Sequence, residues 1–521
     1  MLSRRHLLAG AASVVALQAA HPALAQGAPP PSAPQSFPYE EVIRRARELA
    51  SVPFGGSVPP LPEALATLSF DAYRDIRFRP EKALLAQSGG PFRMQMFHLG
   101  FLFQRPVTVN VVREGIPTPV LYQPNLFDLG KNRFDRPLPI NLGFAGFRLH
   151  YPLNRPNVLD EVIAFLGASY FRFLGREQHY GLSARALALR VEGSQQPEEF
   201  PFFREFWVDA TSGEPDRATV YGLLDSSAVT GAYRFDIYPG PETVVEVTVN
   251  LFPRRTVTGI GMAPLTSMFF VGENDRRFSD DFRPELHDSD GLLLHTGAGE
   301  WIWRPLRNPA VKSVSSFLDN APRGFGLMQR DRTFENYQDL EALYHMRPGY
   351  WVEPIGSWGE GKVELVEIPT KDETEDNIVA YWEPKVPWEP GQEIVHTYRI
   401  RSVTSTTGMH PGGKAVNTYM ARPQASGSSE PGDPTARRFI IDFAGGDLAY
   451  FLSTPDAVQV VPSTSTGRIT HTFVVPNPQT EGFRCAFDVK LEPGQRTDLR
   501  CFLRAGGRAL TETWTYPWAP A

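Results

Sequence analysis

Val245 to Leu251 alternate strictly between apolar and polar residues, and that period of two most restricts the architectures open to this chain. Val245, Val247, Val249 and Leu251 fall on one face, with Glu246, Thr248 and Asn250 on the other. This is the pattern of a strand with one face on a core. Val107–Val111 alternates in the same way. Weaker strand candidates are Ala186–Val191, Ala218–Leu224, Tyr233–Ile237, Ile394–Val403 and Phe439–Phe443. The turn signals Tyr238-Pro239-Gly240, Glu389-Pro390-Gly391 and Glu492-Pro493-Gly494 punctuate them. Helical patterns are few: Tyr39–Ala50, and Phe70–Ile76 behind a candidate N-cap at Ser69. No fixed period argues for a solenoid or propeller. The expected class is mostly β, built as sandwiches.

The first 25 residues stand apart. Ser3-Arg4-Arg5-His6-Leu7-Leu8 precedes an Ala-rich, mildly apolar run that closes on Ala23-Leu24-Ala25, the layout of a twin-arginine export signal cut before Gln26. The run is too short and too weakly apolar to span a bilayer. A periplasmic protein exported already folded is therefore expected. Residues 26–36, rich in Pro and Ala, are expected to be disordered. Without the two signal arginines the chain keeps 50 Lys and Arg against 58 Asp and Glu, a net charge near −8. With no strongly basic stretch, this argues against a nucleic-acid partner or an anionic membrane surface. No later apolar run approaches the ~18 residues that membrane insertion needs.

About 495 mature residues exceed one hydrophobic core, so two domains are expected. The stretch Thr404–Thr435 is rich in Gly, Ser, Thr and Pro. It predicts a domain spanning 37–404, a linker over 405–435 and a small immunoglobulin-like sandwich over 436–521. Cys485 and Cys501 lie equidistant from Pro493. A hairpin turning there would set them face to face, open either to a cross-strand disulfide or to two buried thiols.

Familiar catalytic and metal signatures are missing. The chain has no GxGxxG after a strand, no P-loop, no GxSxG elbow, no CxxC and no HExxH. Neither a cofactor nor a metal is expected. What remains is carboxylates interleaved with aromatics between Asp280 and Trp382. Aromatic faces stack on sugars and carboxylates hydrogen-bond them, and glycoside hydrolysis needs two carboxyl groups and no cofactor.

Several longer stretches carry a resemblance: Leu142–Arg148 (LGFAGFR), Phe165–Arg172 (FLGASYFR), Tyr180–Arg185 (YGLSAR), Asp225–Tyr233 (DSSAVTGAY), Ile260–Met268 (IGMAPLTSM), His287–Asp290 (HDSD) and Gly299–Pro305 (GEWIWRP). From about Phe37 to Trp518 the chain resembles the periplasmic glucan biosynthesis proteins of types G and D. The twin-arginine signal makes it look like the D type. The resemblance implies a large galactose-mutarotase-like β-sandwich followed by the small immunoglobulin-like one. It also implies a role in making osmoregulated periplasmic glucans with a β-1,2-linked backbone, as an inverting endo-β-1,2-glucanase. Carried over by motif, Asp376 matches the general acid and Asp288 the general base, acting through water. Tyr344, in Tyr344-His-Met-Arg-Pro348, falls where a substrate contact is expected, and Arg347 follows it. Ala342-Leu343 before it departs from the family pattern. A homodimer is implied for the D type. A glucan-binding scaffold without catalysis, or a transglycosylase on the same backbone, remains the alternative.

The residues offer plainer readings beside these. Asp372–Asp376 alone reads as a solvated acidic loop, and His287–Gly291 as an Asx turn. Among the tryptophans, Trp301, Trp351 and Trp358 are candidates to contact a sugar, although each also suits a core. If Asp376 is an acid, the charges of Asp372, Glu373 and Glu375 and the nearby Tyr381-Trp382 should raise its pKa.

Overall fold

A computed structural model describes residues 37–55, 60–191, 197–210, 216–276, 280–424 and 433–520. The export signal and the segment 26–36 lie outside these residues, as do 425–432 of the expected linker.

The protein is mostly β, as its alternation dictates. Val244–Pro253 sits inside a long sheet, with Val245, Val247, Val249 and Leu251 fully buried. It pairs with Val229–Tyr238 on one side and Ile394–Val403 on the other. The half-polar face is covered by the helix Tyr39–Ala50, whose Tyr39 hydroxyl donates to the Ala232 carbonyl at 2.7 Å. A second sheet runs from Arg93–Phe97 through Ile260–Ser267, Ile378–Pro384 and Glu360–Glu367 to Ser313–Asn320. Between the sheets lies the main core, with Phe147, Phe165, Phe206, Phe235 and Trp382 among its rings.

Expectation and structure differ in places. Of Ala186–Val191 only Leu187–Leu189 is a strand, following the separate strand Ser183–Arg185, and Arg190 closes it with a left-handed φ of 59°. The second helix stops at Arg74, though Ser69 caps it as expected by accepting from the Ala72 amide at 3.2 Å. Lys414–Ala421, within the glycine-rich stretch, is a strand.

The last strands, Val458–Thr464, Thr497–Ala505 and Thr513–Trp518, continue the long sheet, joining it where Thr513–Trp518 runs parallel to Trp301–Pro305. A four-stranded sheet of Lys414–Ala421, Ala436–Ala444, Gly482–Lys490 and Arg468–Asn477 forms a second core with them around Phe439, Phe487 and Trp514. No hairpin forms across Pro493. Gly494 does turn the chain, with φ 80°, but the flanking strands enter different sheets. Cys485 and Cys501 therefore meet across the core, as buried free thiols with Sγ atoms 3.8 Å apart.

Candidate functional site

The carboxylates singled out by the sequence come together at one end of the second sheet. Asp376 ends the loop before the strand Ile378–Pro384, and its neighbour Asn377 pins that loop. The buried Asn377 amide accepts from the Phe269 N–H at 2.8 Å and donates to the carbonyls of Phe269 at 2.9 Å and Ile368 at 3.0 Å. Asp376 is thus held against a strand end while its side chain stays 37% exposed, 4.0 Å from the Arg172 guanidinium. Solvent reaches it in a recess dense with protein.

Asp376 has a raised pKa. Burial is the main cause, and the charge of Asp288 adds to it, while Arg172 and Arg347 oppose it. The expected direction is found, but from a different source. Asp372 is engaged within its own loop, accepting from the Thr374 amide at 2.9 Å and the Thr374 hydroxyl at 2.5 Å. Glu373 accepts two hydrogen bonds from Arg283, at 2.9 and 3.0 Å, and one from the Tyr344 hydroxyl. Glu373 at least is therefore no freely solvated loop carboxylate. Arg283 also binds Asp281 and Asp339, tying two segments to the loop that carries Asp376.

Asp288 is buried, 4% exposed, and its amide donates to the Met268 carbonyl at 2.8 Å. Its carboxylate accepts from Arg347, and Asp290 accepts the Asp331 amide at 2.8 Å as well as that of Arg330. The two aspartates thus bond elsewhere than in the Asx turn the segment alone suggests.

Arg347 is held on three sides. Its guanidinium lies 3.9 Å over the Tyr344 ring, reaches Asp288, and donates to the Ala342 carbonyl at 3.2 and 3.1 Å. Ala342 and Leu343 build that anchor. Leu343 adopts φ 49°, a costly conformation for a branched residue. It turns the chain so that the Ala342 carbonyl faces Arg347. The buried Tyr344 hydroxyl has its pKa pushed far up by burial and by its bond to Glu373.

The tryptophans lie apart from this group. Trp351 packs in the second core and Trp358 in the main core. Trp301 stacks on His295 at 4.1 Å and on Trp351 at 5.7 Å. Their ring partners are elsewhere than at the carboxylates. Residue type alone does not say which end of a sheet a ring occupies. Arg172, Glu373, Arg283 and Gln329 escaped the reading as site residues. Arg172 closes one of the resembling stretches and Glu373 lies in the Asp372–Asp376 loop; Arg283 and Gln329 are brought in by segments distant from Asp376 in sequence.

Among the described residues, no helix is long and apolar enough to cross a membrane, and no group of three or more His, Cys, Asp or Glu could hold a metal ion.

Fold and site define a class: a large, mostly β protein with two aspartates, one buried and one exposed, at a sheet end rich in arginine. The family description "Periplasmic glucan biosynthesis protein, MdoG" matches residues 37–518. The chain is 44% identical over 517 residues to "Glucans biosynthesis protein G" of Rhodopseudomonas palustris (strain BisA53), covering 99% of this chain and 100% of that one. It is 44% identical over 497 residues to "Probable glucans biosynthesis protein D" of Shewanella oneidensis, covering 94% and 90%. "Glucans biosynthesis protein D" of Xanthomonas oryzae pv. oryzae (strain KACC10331 / KXO85) is 43% identical over 534 residues, with 100% and 98% covered. The chain belongs to the MdoG family of periplasmic glucan biosynthesis proteins.

Proposed function

We propose that this family member acts on the β-1,2-glucan backbone as an inverting endo-glucanase, trimming chains in the periplasm after export by the twin-arginine route. The observation that carries the reading is Asp376: a solvent-reachable carboxyl group whose pKa is raised by burial and by the charge of Asp288. An acid that protonates a departing glycosidic oxygen needs both properties. An inverting pair stands ~6.5–9.5 Å apart to leave room for the attacking water.

In this mechanism Asp376 gives its proton to the leaving oxygen as the glycosidic bond breaks. Water attacks the anomeric carbon from the opposite face and passes its proton toward Asp288. Arg347 orients Asp288; Tyr344, expected from the sequence to meet the sugar, is buried beneath the Arg347 guanidinium and backs it instead.

The test is incubation of the mature protein with linear β-1,2-glucan, followed by product sizing and anomer analysis by NMR. Shorter chains with inverted anomers are expected. Asp376→Asn should lower turnover by at least ~10²-fold while glucan binding persists. Intact but bound glucan would favour a scaffold that guides nascent chains, and longer products a transglycosylase.

A further inference from the structure

Directly beside Asp288, His287 is buried and meets acceptors at both ring nitrogens. Nε2 faces a Glu285 carboxylate oxygen at 2.9 Å. Nδ1 faces Gln329 Oε1 at 3.0 Å and an Asp290 carboxylate oxygen at 3.2 Å. The orientation of the Gln329 amide is set by its other end. Gln329 Nε2 donates to the His287 carbonyl at 3.0 Å, the Tyr337 hydroxyl at 2.9 Å and the Tyr344 carbonyl at 3.3 Å. Its oxygen must therefore point at the imidazole. A neutral ring would leave one lone pair facing an acceptor, whereas an imidazolium satisfies both sides. The ring also stacks on Phe269 at 5.4 Å and meets Tyr337 edge-on at 5.2 Å, so it has no other orientation to adopt.

We propose that His287 is a positioning residue: as an imidazolium held between Glu285 and Asp290, it keeps the turn bearing Asp288 in place against the turn of Tyr344 and Arg347. The link to the second turn runs through Gln329, which bridges His287 to the Tyr344 carbonyl. This role rests on the reading of Asp288 as the base and deepens it.

The charged and titratable groups around the ring agree. Glu285 and Asp290 flank it, and Glu273, its own pKa pushed up to about 8 by burial and by Glu285, adds its charge as it ionises. Tyr337 closes the far side. Glu273, Glu285, Asp290 and Asp331 line a cavity of about 90 Å³ with Arg276 and Arg330. Arg330 is already engaged by Glu512, at 2.6 and 2.9 Å. Burial alone would strip the His287 proton, but Asp290, Glu285 and Glu273 outweigh it and lift the pKa to about 9. Burial lifts the Asp290 pKa to about 6, so the clamp is complete between about 6 and 9, losing the Asp290 charge below that window and the His287 proton above it.

Histidine ¹⁵N NMR and a pH–rate profile on linear β-1,2-glucan, run together, test this. His287, assigned by its absence in His287→Gln, should show both nitrogens protonated at pH 7 and titrate near 9. Glu285→Gln removes one holding carboxylate, and the midpoint should fall by about one pH unit. The log kcat profile, already falling as Asp376 ionises, should steepen by one further unit of slope above the His287 midpoint. That break should move down with the midpoint in Glu285→Gln, with KM unchanged within about twofold.

A single neutral tautomer at pH 7 overturns the proposal, as does a break that stays fixed while the NMR midpoint moves. If the wild type cuts no glucan, the base assignment of Asp288 fails on its own account. The clamp is then judged by glucan affinity: a break at the His287 midpoint sustains it, and a flat profile overturns it.

Discussion

Asp376 and its arginines set up opposing influences that mutation separates. The acid works only when protonated, so activity falls as pH rises through its folded pKa. The Arg172 charge favours the ionised form. Arg172→Gln should therefore raise that pKa and move the alkaline limb of kcat/KM upward, by about half a unit or more. A limb that moves down, or not at all, would remove Arg172 from the acid's environment. Arg347→Ala is a harsher change, because it strands the buried Asp288 without its ion-pair partner. Loss of one partner of a buried pair costs about 3 kcal/mol. Urea denaturation should register that loss, together with a fall in turnover.

Loops and strand ends carry the site, and specific polar side chains hold them there. Asn377 satisfies three backbone groups across two segments, so Asn377→Ala should cost about 2–3 kcal/mol in urea unfolding. Turnover should drop as well, because the pin adjoins Asp376. The helix Tyr39–Ala50 is held partly by the Tyr39 hydroxyl on the Ala232 carbonyl. Tyr39→Phe should cost about 1 kcal/mol by the same measurement and leave turnover unchanged, since the helix covers the opposite side of the long sheet.

The two cores share strands of the long sheet. Leu293, Trp303, Met328, Trp351 and Val403 contribute to the second core from strands that also border the first. Unfolding one core would therefore strip partners from the other. Calorimetry should show one transition, with the calorimetric and van't Hoff enthalpies agreeing. Phe439→Ala, in the centre of the second core, should lower that single transition by about 3–5 kcal/mol of stability rather than split it in two.

Strict alternation was enough to place the strand Val244–Pro253, because a period of two commits every other side chain to one face wherever the strand ends up. The helix Tyr39–Ala50 was readable for the same local reason, its period being 3.6. Asp288 and Asp376 were singled out by the family resemblance, since alone their segments read as an Asx turn and an acidic loop. Nothing local to either segment, however, could reveal that each answers to a distant arginine. Pairing between sheets is non-local, so the expected hairpin at Pro493 gave way to strands in separate sheets, and the cysteines met across a core instead. Burial likewise depends on what packs above a residue, so Trp351 and Trp358 went to cores and Glu373 to Arg283. Periodicity is a property of neighbouring residues and survives in the sequence; the charge around a carboxylate belongs to whatever the folded chain brings within a few ångströms of it.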